Sequence, residues 1–204
     1  MDDKQSFDLA ALESALTELG RRAYSADRTI EIAIYGGSAL LLTLNRKINT
    51  SDVDAVFESD KAFIKKIATD MAEEFGWDVD WLNDGVKGWL SSRDSDADVK
   101  SLFKTYPSEG QPGLRVFVAK PEYIFAMKCR AMRVGGVDSS SDIDDIKLLA
   151  RAIGIENSDE ALALVEKFYP QNLLEPKTRL GLEEIFSSLA AKIADDDSVL
   201  SRKP

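Results

Sequence analysis

Leucines recur at positions 9, 12, 16 and 19, in the three- and four-residue steps that mark one face of an α-helix. The pattern predicts a helix over 6–24, with Ser6 as its N-cap. The period then shortens. Ile30, Ile32 and Ile34 alternate with other residues, which predicts a strand that breaks at the pair Gly36-Gly37. A short apolar helix over 38–45 follows, then the polar connector RKINTS, then a second strand, DVDAVF, at 52–57. Ser59 is expected to cap a helix that runs to Phe75, with Phe63, Ile64, Ile67 and Met71 on its inner face and Gly76 at its end. WDVDWL, residues 77–82, alternates like a third strand. The stretch 83–98 is polar and assigns to no element. LFKTY and LRVFVA flank the turn residues PSEGQPG and predict a hairpin.

After Ala119 the pattern is helical to the end. PEYIFAMKCRAMR carries Pro121 in its first turn, where a missing N–H costs nothing. DIDDIKLLARAIG, SDEALALVEKFY and TRLGLEEIFSSLAAKIA are three further helices, and the acidic stretch from Asp195 is expected to fray. The fold class expected is α+β, with a mixed-sheet half over 1–120 and a helical half over 121–204.

Composition narrows the chemistry. An apolar share of 44% over 204 residues suffices for a core. No apolar run approaches the roughly 20 residues that span a bilayer, and the acidic start MDDKQSFDLAALE is unlike a signal peptide. The expectation is a soluble, cytoplasmic protein with no membrane partner. Histidine is absent, which removes histidine bases, histidine ligands and the Ser-His-Asp arrangement. The single cysteine, Cys129, sits in an apolar helical stretch and reads as core filler. Any metal must then be held by oxygen, which favours magnesium, manganese or calcium. The net charge of -10 excludes nucleic-acid binding by bulk electrostatics, so contact with RNA requires a local basic patch.

The chemistry concentrates in YGGSALLLTLNRKINTSDVDAVF. A strand delivers two glycines and a serine to the start of a helix. Gly36 and Gly37 let the backbone approach a phosphate closely. The free N–H groups and the dipole of the helix start favour an anion, and the Ser38 hydroxyl is placed to bond it. Asp52 and Asp54 are two apart on a strand, so both carboxylates share one face. They repel each other unless a cation neutralises them, and magnesium bridges naturally from carboxylates to a triphosphate. Arg46 and Lys47, in the connector, are within sequence reach of triphosphate oxygens. Trp77, Trp81 and Trp89 are candidates for stacking on a base, with core packing the commoner use of the first two.

GGSALL followed by TSDVDAVF resembles the Gly-Ser and Asp-x-Asp signature of the DNA polymerase β-like nucleotidyltransferase superfamily. WLND, PEYIFAMKCRAMR and DIDDIKLL are similar to the bacterial AbiEii and MenT-like toxin group within it. The resemblance implies a nucleotidyltransferase fold and two-metal transfer of a nucleotidyl group from a nucleoside triphosphate, with Mg2+ or Mn2+ as cofactor. It implies a lysine on a helix after the sheet, matched by Lys128, and a downstream acid, for which Asp142 and Asp145 stand. Asp142 is also explained by the helix dipole; Asp145, one turn later, is not, and is taken as the catalytic acid. A third metal-binding carboxylate is implied on a neighbouring strand, with Asp80 first and Asp84 second. The acceptor implied is RNA such as tRNA, or protein, and the role that of a toxin held by an antitoxin protein. The alternatives are a degenerate fold that binds nucleotide or a partner without chemistry, and a transferase that modifies a cationic small molecule such as an antibiotic.

Overall fold

The computed structural model describes residues 6–44, 49–95, 99–132 and 139–200. It is mixed α+β: five strands form one sheet in the order β3-β2-β1-β5-β4, and the described residues include seven α-helices. The chain divides into two compact units, one of residues 1–90 and 94–120, the other of residues 91–93 and 121–204. No helix among the described residues is long and apolar enough to cross a membrane.

In the sheet unit, α1 is Leu9–Ser25, β1 Ile30–Ile34, α2 Gly36–Leu44, β2 Val53–Phe57 and α3 Lys61–Phe75. Strand β3 is only Leu82–Asn83 and runs into a 3-10 turn, Gly85–Trp89; β4 is Lys100–Ser108 and β5 Gln111–Ala119. β1 pairs antiparallel with β2 and parallel with β5, and β2 pairs parallel with β3. β4 and β5 form the expected hairpin. One sheet face is apolar throughout: Ile32, Ile34, Ala55, Phe57, Leu114, Val116 and Val118 are all buried. Helix α1 packs on β4 and β5 with the leucine stripe of Leu12, Leu16 and Leu19 fully buried.

Helix starts differ from the expected ones by a residue or two, each for a visible reason. Asp8, not Ser6, caps α1 and accepts from the Ala11 N–H at 2.8 Å. Phe7 is held extended by a two-bond bridge to Thr50, so the helix cannot begin earlier. Asp60, not Ser59, caps α3; the Ser59 hydroxyl instead accepts from the Glu31 N–H at 2.8 Å. Gly76 ends α3 in the left-handed region, as expected.

Of WDVDWL only the last residue, Leu82, enters a strand. The Asp78 carboxylate accepts from the Asp80 N–H at 2.9 Å, an Asx turn that bends the chain. Trp77 and Trp81 fold toward each other, with ring centroids 5.1 Å apart, and both meet Phe7. Trp81 is fully buried and its indole N–H donates to the Ala68 carbonyl at 2.9 Å. The aromatic spacing therefore reports a core cluster rather than a pleat.

In the helical unit, α4 is Pro121–Ala131, α5 Ser139–Ile153, α6 Ser158–Phe168 and α7 Pro176–Leu200. The α7 helix continues past Asp195, where the acidic composition predicts fraying. Cys129 is fully buried, and burial pushes its thiol pKa up, so it fills core as expected.

Candidate functional site

The glycine pair does not precede the helix; it begins it, since α2 starts at Gly36. Gly36 has φ +59°, a conformation that L side chains avoid. A Cβ there would lie 2.7 Å from the Asp54 carboxylate oxygen Oδ2. Glycine is required twice, once by the backbone and once because the Asp54 carboxylate rests on it. The Tyr35 N–H donates to the Asp54 carbonyl at 2.9 Å, and β1 pairs with β2 through Ile34 and Ala55. Strand pairing thus delivers the end of β1 and the start of β2 to the same end of the sheet.

Ser38 is buried, and its hydroxyl donates to the Asp52 carbonyl at 2.7 Å. The donor is used to tie the first turn of α2 to the Asp-x-Asp strand, leaving the oxygen as an acceptor. Asp52 and Asp54 are half-buried and alternate with buried Val53 and Ala55. Asp54 lies on the face of β2 opposite the apolar core, whereas Asp52, expected to open the strand, lies in the bend just before it.

Asp80 is exposed and lies in the turn before β3; it is not on a strand, as expected of the third carboxylate. Asn83 is the residue that pairs with Asp54 across β2 and β3. Its side-chain amide makes a long contact, 3.4 Å, to Asp52 Oδ2, and its carbonyl oxygen accepts from the Gly85 N–H at 2.9 Å. Sequence reasoning passes over Asn83 because only the register of a two-residue strand puts it beside Asp54. Asp84, the next residue, is bound by Lys61, Lys65 and Lys87. The Lys61 hydrogen bond above all, against the opposing effect of burial and with Lys87 assisting, holds the Asp84 carboxyl down at about 2. Among the described residues no group of three or more acids, cysteines or histidines forms a metal cluster.

A second polar network carries no signal in the sequence. The Tyr35 hydroxyl donates to Asp94 at 2.7 Å, and Lys100 bridges Asp94 at 3.2 Å and Glu58 at 2.5 Å. Burial lowers the Lys100 pKa, but the two carboxylates outweigh it and the net direction is up. Tyr35 immediately precedes Gly36, so this network braces the turn into α2.

In the helical unit, Lys128, Asp142 and Asp145 come together. The Lys128 ammonium lies 2.7 Å from Asp145 and 3.0 Å from Asp142. Asp145 is buried. Burial lowers the lysine pKa, yet Asp145 first and Asp142 next outweigh it and raise the value. Arg46 and Lys47 lie outside the described residues. Of the three tryptophans, only Trp89 is well exposed.

The donor set fits magnesium or manganese. With no histidine, the side-chain ligands on offer are carboxylate oxygens, and magnesium commonly takes one or two carboxylates plus substrate phosphates rather than an all-protein cage. Asp52 and Asp54 are the carboxylates that would hold such an ion.

No protein-family model and no curated protein match the chain. Among solved structures it is similar to an antigenic nucleotidyltransferase-like protein from Paracoccidioides brasiliensis, with a TM-score of 0.47 and 19% identity over 97% of this chain and 95% of that one.

Proposed function

We propose that the chain is a metal-dependent nucleotidyltransferase of the polymerase β-like kind, acting from the Gly36–Ser38 turn and the Asp52/Asp54 strand. The observation that carries the reading is the contact of the Asp54 carboxylate with Gly36 at the start of α2. The N-terminus of a helix favours an anion. A phosphate drawn there meets a carboxylate, and two like charges so close require a cation between them. A phosphate cradle beside a carboxylate pair is a place where metal and nucleotide bind together.

A divalent cation on Asp52 and Asp54 would neutralise charge on the transferring phosphoryl group and lower the pKa of an acceptor hydroxyl. The protein's own groups do the positioning. Gly36 and Gly37 admit the triphosphate to the backbone N–H groups, Ser38 locks that turn to β2, and Asn83 steadies Asp52. By resemblance, Lys128 would add a cation for the transferring group, Asp145 would hold it, and the acceptor would be RNA such as tRNA or a protein, as for a toxin restrained by an antitoxin.

The test is incubation with each α-labelled nucleoside triphosphate, Mg2+ or Mn2+, and total cell RNA and protein, beside Asp54→Ala. A labelled band that vanishes in the variant supports the reading and identifies the acceptor. Labelling that persists in the variant removes it.

One observation favours a second reading, a fold that binds nucleotide without transferring it. Asn83, not a carboxylate, holds the β3 position beside Asp54. Metal-dependent nucleotide binding that never yields a labelled product, whatever the acceptor, would establish this alternative.

A further inference from the structure

An acidic chain contacts RNA only through a local excess of positive charge, and the structure contains one beside the Asp-x-Asp strand. Lys61 and Lys65 stand on the first turns of α3, and Lys87 on the 3-10 turn after β3. All three converge on the single carboxylate of Asp84, Lys87 at 3.1 Å and Lys65 at 3.7 Å with Lys61 in direct contact. Three ammonium groups against one carboxylate leave a surplus of two positive charges. The lysine side chains are 49%, 54% and 39% exposed. Each ammonium has three donors, more than one half-buried carboxylate can absorb, so most of them face solvent. The turn that carries Lys87 is fixed just ahead of that residue, by the Asn83 bond to Gly85 and by buried Val86. It ends in Trp89, which is 45% exposed.

The place of this cluster in the sheet sets its role. The phosphate cradle of α2 leaves from β1, on one side of β2. Asp84 follows β3, on the other side of β2, one residue past the partner of Asp54. A triphosphate at α2 and a chain on the lysines would approach Asp54 from opposite sides.

We propose that Lys61, Lys65 and Lys87, gathered by Asp84, bind the phosphate backbone of a single-stranded RNA acceptor. This deepens the transferase reading and rests on it for the word acceptor. The RNA contact itself is a separate property.

The probe is a short, labelled, mixed-sequence single-stranded RNA, titrated by fluorescence anisotropy against the full chain at several salt concentrations. Labelled ATP with Mg2+ is titrated in parallel. The Lys61→Gln/Lys65→Gln/Lys87→Gln variant is expected to bind the RNA about tenfold or more weakly. Its salt slope should fall by about 2, at roughly 0.7 per lost phosphate contact, while its ATP affinity stays unchanged. Lys66→Gln, in a pair with Asp70 on the same helix, should bind RNA like the parent. The matching triple arginine variant should bind RNA as well as the parent, which separates charge from folding. Equal RNA affinity in parent and glutamine variant overturns the proposal, as does a parent that binds ATP but no RNA. Loss of ATP binding along with RNA binding also overturns it, because the lysines then serve the nucleotide. Since RNA affinity is read without turnover, Asp54→Ala failing to abolish labelling would sink the transferase reading and leave this measurement standing. On the unmodified protein, RNA should protect Lys61, Lys65 and Lys87 from acetylation, and no protection there counts against the surface.

Discussion

At the scale of single residues, the decisive contact is the one between Gly36 and Asp54. Alanine at 36 must adopt φ +59° and place a methyl 2.7 Å from Asp54 Oδ2. The left-handed region costs an L residue about 1–2 kcal/mol, and the carboxylate must move as well. Gly36→Ala is therefore expected to lower stability in urea by at least about 1 kcal/mol and to weaken metal-dependent nucleotide binding far more than that loss of stability explains. Unchanged nucleotide affinity would show that Asp54 does not need its seat on the glycine. Lys128 presents the opposite case, a charge whose partners are its environment. Removing it takes the Lys128 ion pair away from buried Asp145, and breaking a buried pair from one side costs about 3–5 kcal/mol. Lys128→Met should approach the lower figure, since Asp142 stays partly exposed. Lys128→Met/Asp145→Leu should recover most of it in the same denaturation experiment. A double variant as unstable as the single one would mean that the pair does more than neutralise itself. The contiguous part of the site is legible in the sequence alone: Gly36, Ser38, Asp52 and Asp54 lie within 19 residues of chain, and local geometry relates them. Asn83 is not, because its relation to Asp54 exists only through β2–β3 pairing.

At the scale of elements, the helices announce themselves by their period, and their ends move only where a specific bond intervenes. Asp8 and Asp60 displace neighbouring serines as caps, since a carboxylate accepts an N–H more strongly than a hydroxyl does. The one element that periodicity misassigns, WDVDWL, has the alternation of a strand but carries aspartates whose side chains bond their own backbone. Such residues compete with a ladder, and periodicity alone does not register the competition. Nor does it reveal how closely α1 lies on the sheet. A Cβ on Gly113 of β5 would stand 1.9 Å from the Gly20 carbonyl oxygen of α1, and one on Gly20 would stand 2.6 Å from the Tyr106 carbonyl oxygen. Both obstacles are backbone, so neither can swing aside. Gly113→Ala is expected to force α1 away from β5 and to destabilise by about 3 kcal/mol, at the upper end for overpacking. The measurement is the urea midpoint, with Gly110→Ala as control because nothing surrounds that position. A control and variant of equal stability would mean that the helix is free to ride outward.

At the scale of the whole molecule, net charge and paired charges set how stability follows pH. At neutral pH the excess of ten negative charges works against the compact state by self-repulsion. Mild acidification toward the isoelectric point near 4.6 relieves that repulsion. Two carboxylates resist the same change. Arg21 first, and Arg22 after the opposing effect of burial, hold Glu18 at about 2; Lys61 and Lys87 do the same for Asp84. A group whose pKa is lower folded than unfolded contributes stability above its unfolded value and loses it as pH falls through the folded one. Glu18 and Asp84 therefore contribute fully above about pH 5 and lose their share between about 4.5 and 2. Lys128, raised in the folded chain by Asp145 and Asp142, has the reverse sign: its share is present below the ordinary lysine range and is lost as pH climbs through the raised value. Stability by urea denaturation should thus form a plateau on the acid side of neutrality and fall steeply below about pH 4. Glu18→Gln and Asp84→Asn should each flatten the acid limb while leaving the alkaline limb alone, and Lys128→Met should do the converse. Salt separates the two causes: it should raise the neutral region by screening repulsion and leave the buried Lys128–Asp145 limb nearly where it was. An acid limb unchanged in both carboxylate variants would assign it to the other carboxylates, with the lysine cluster contributing nothing to stability and its positive surplus left to serve binding alone.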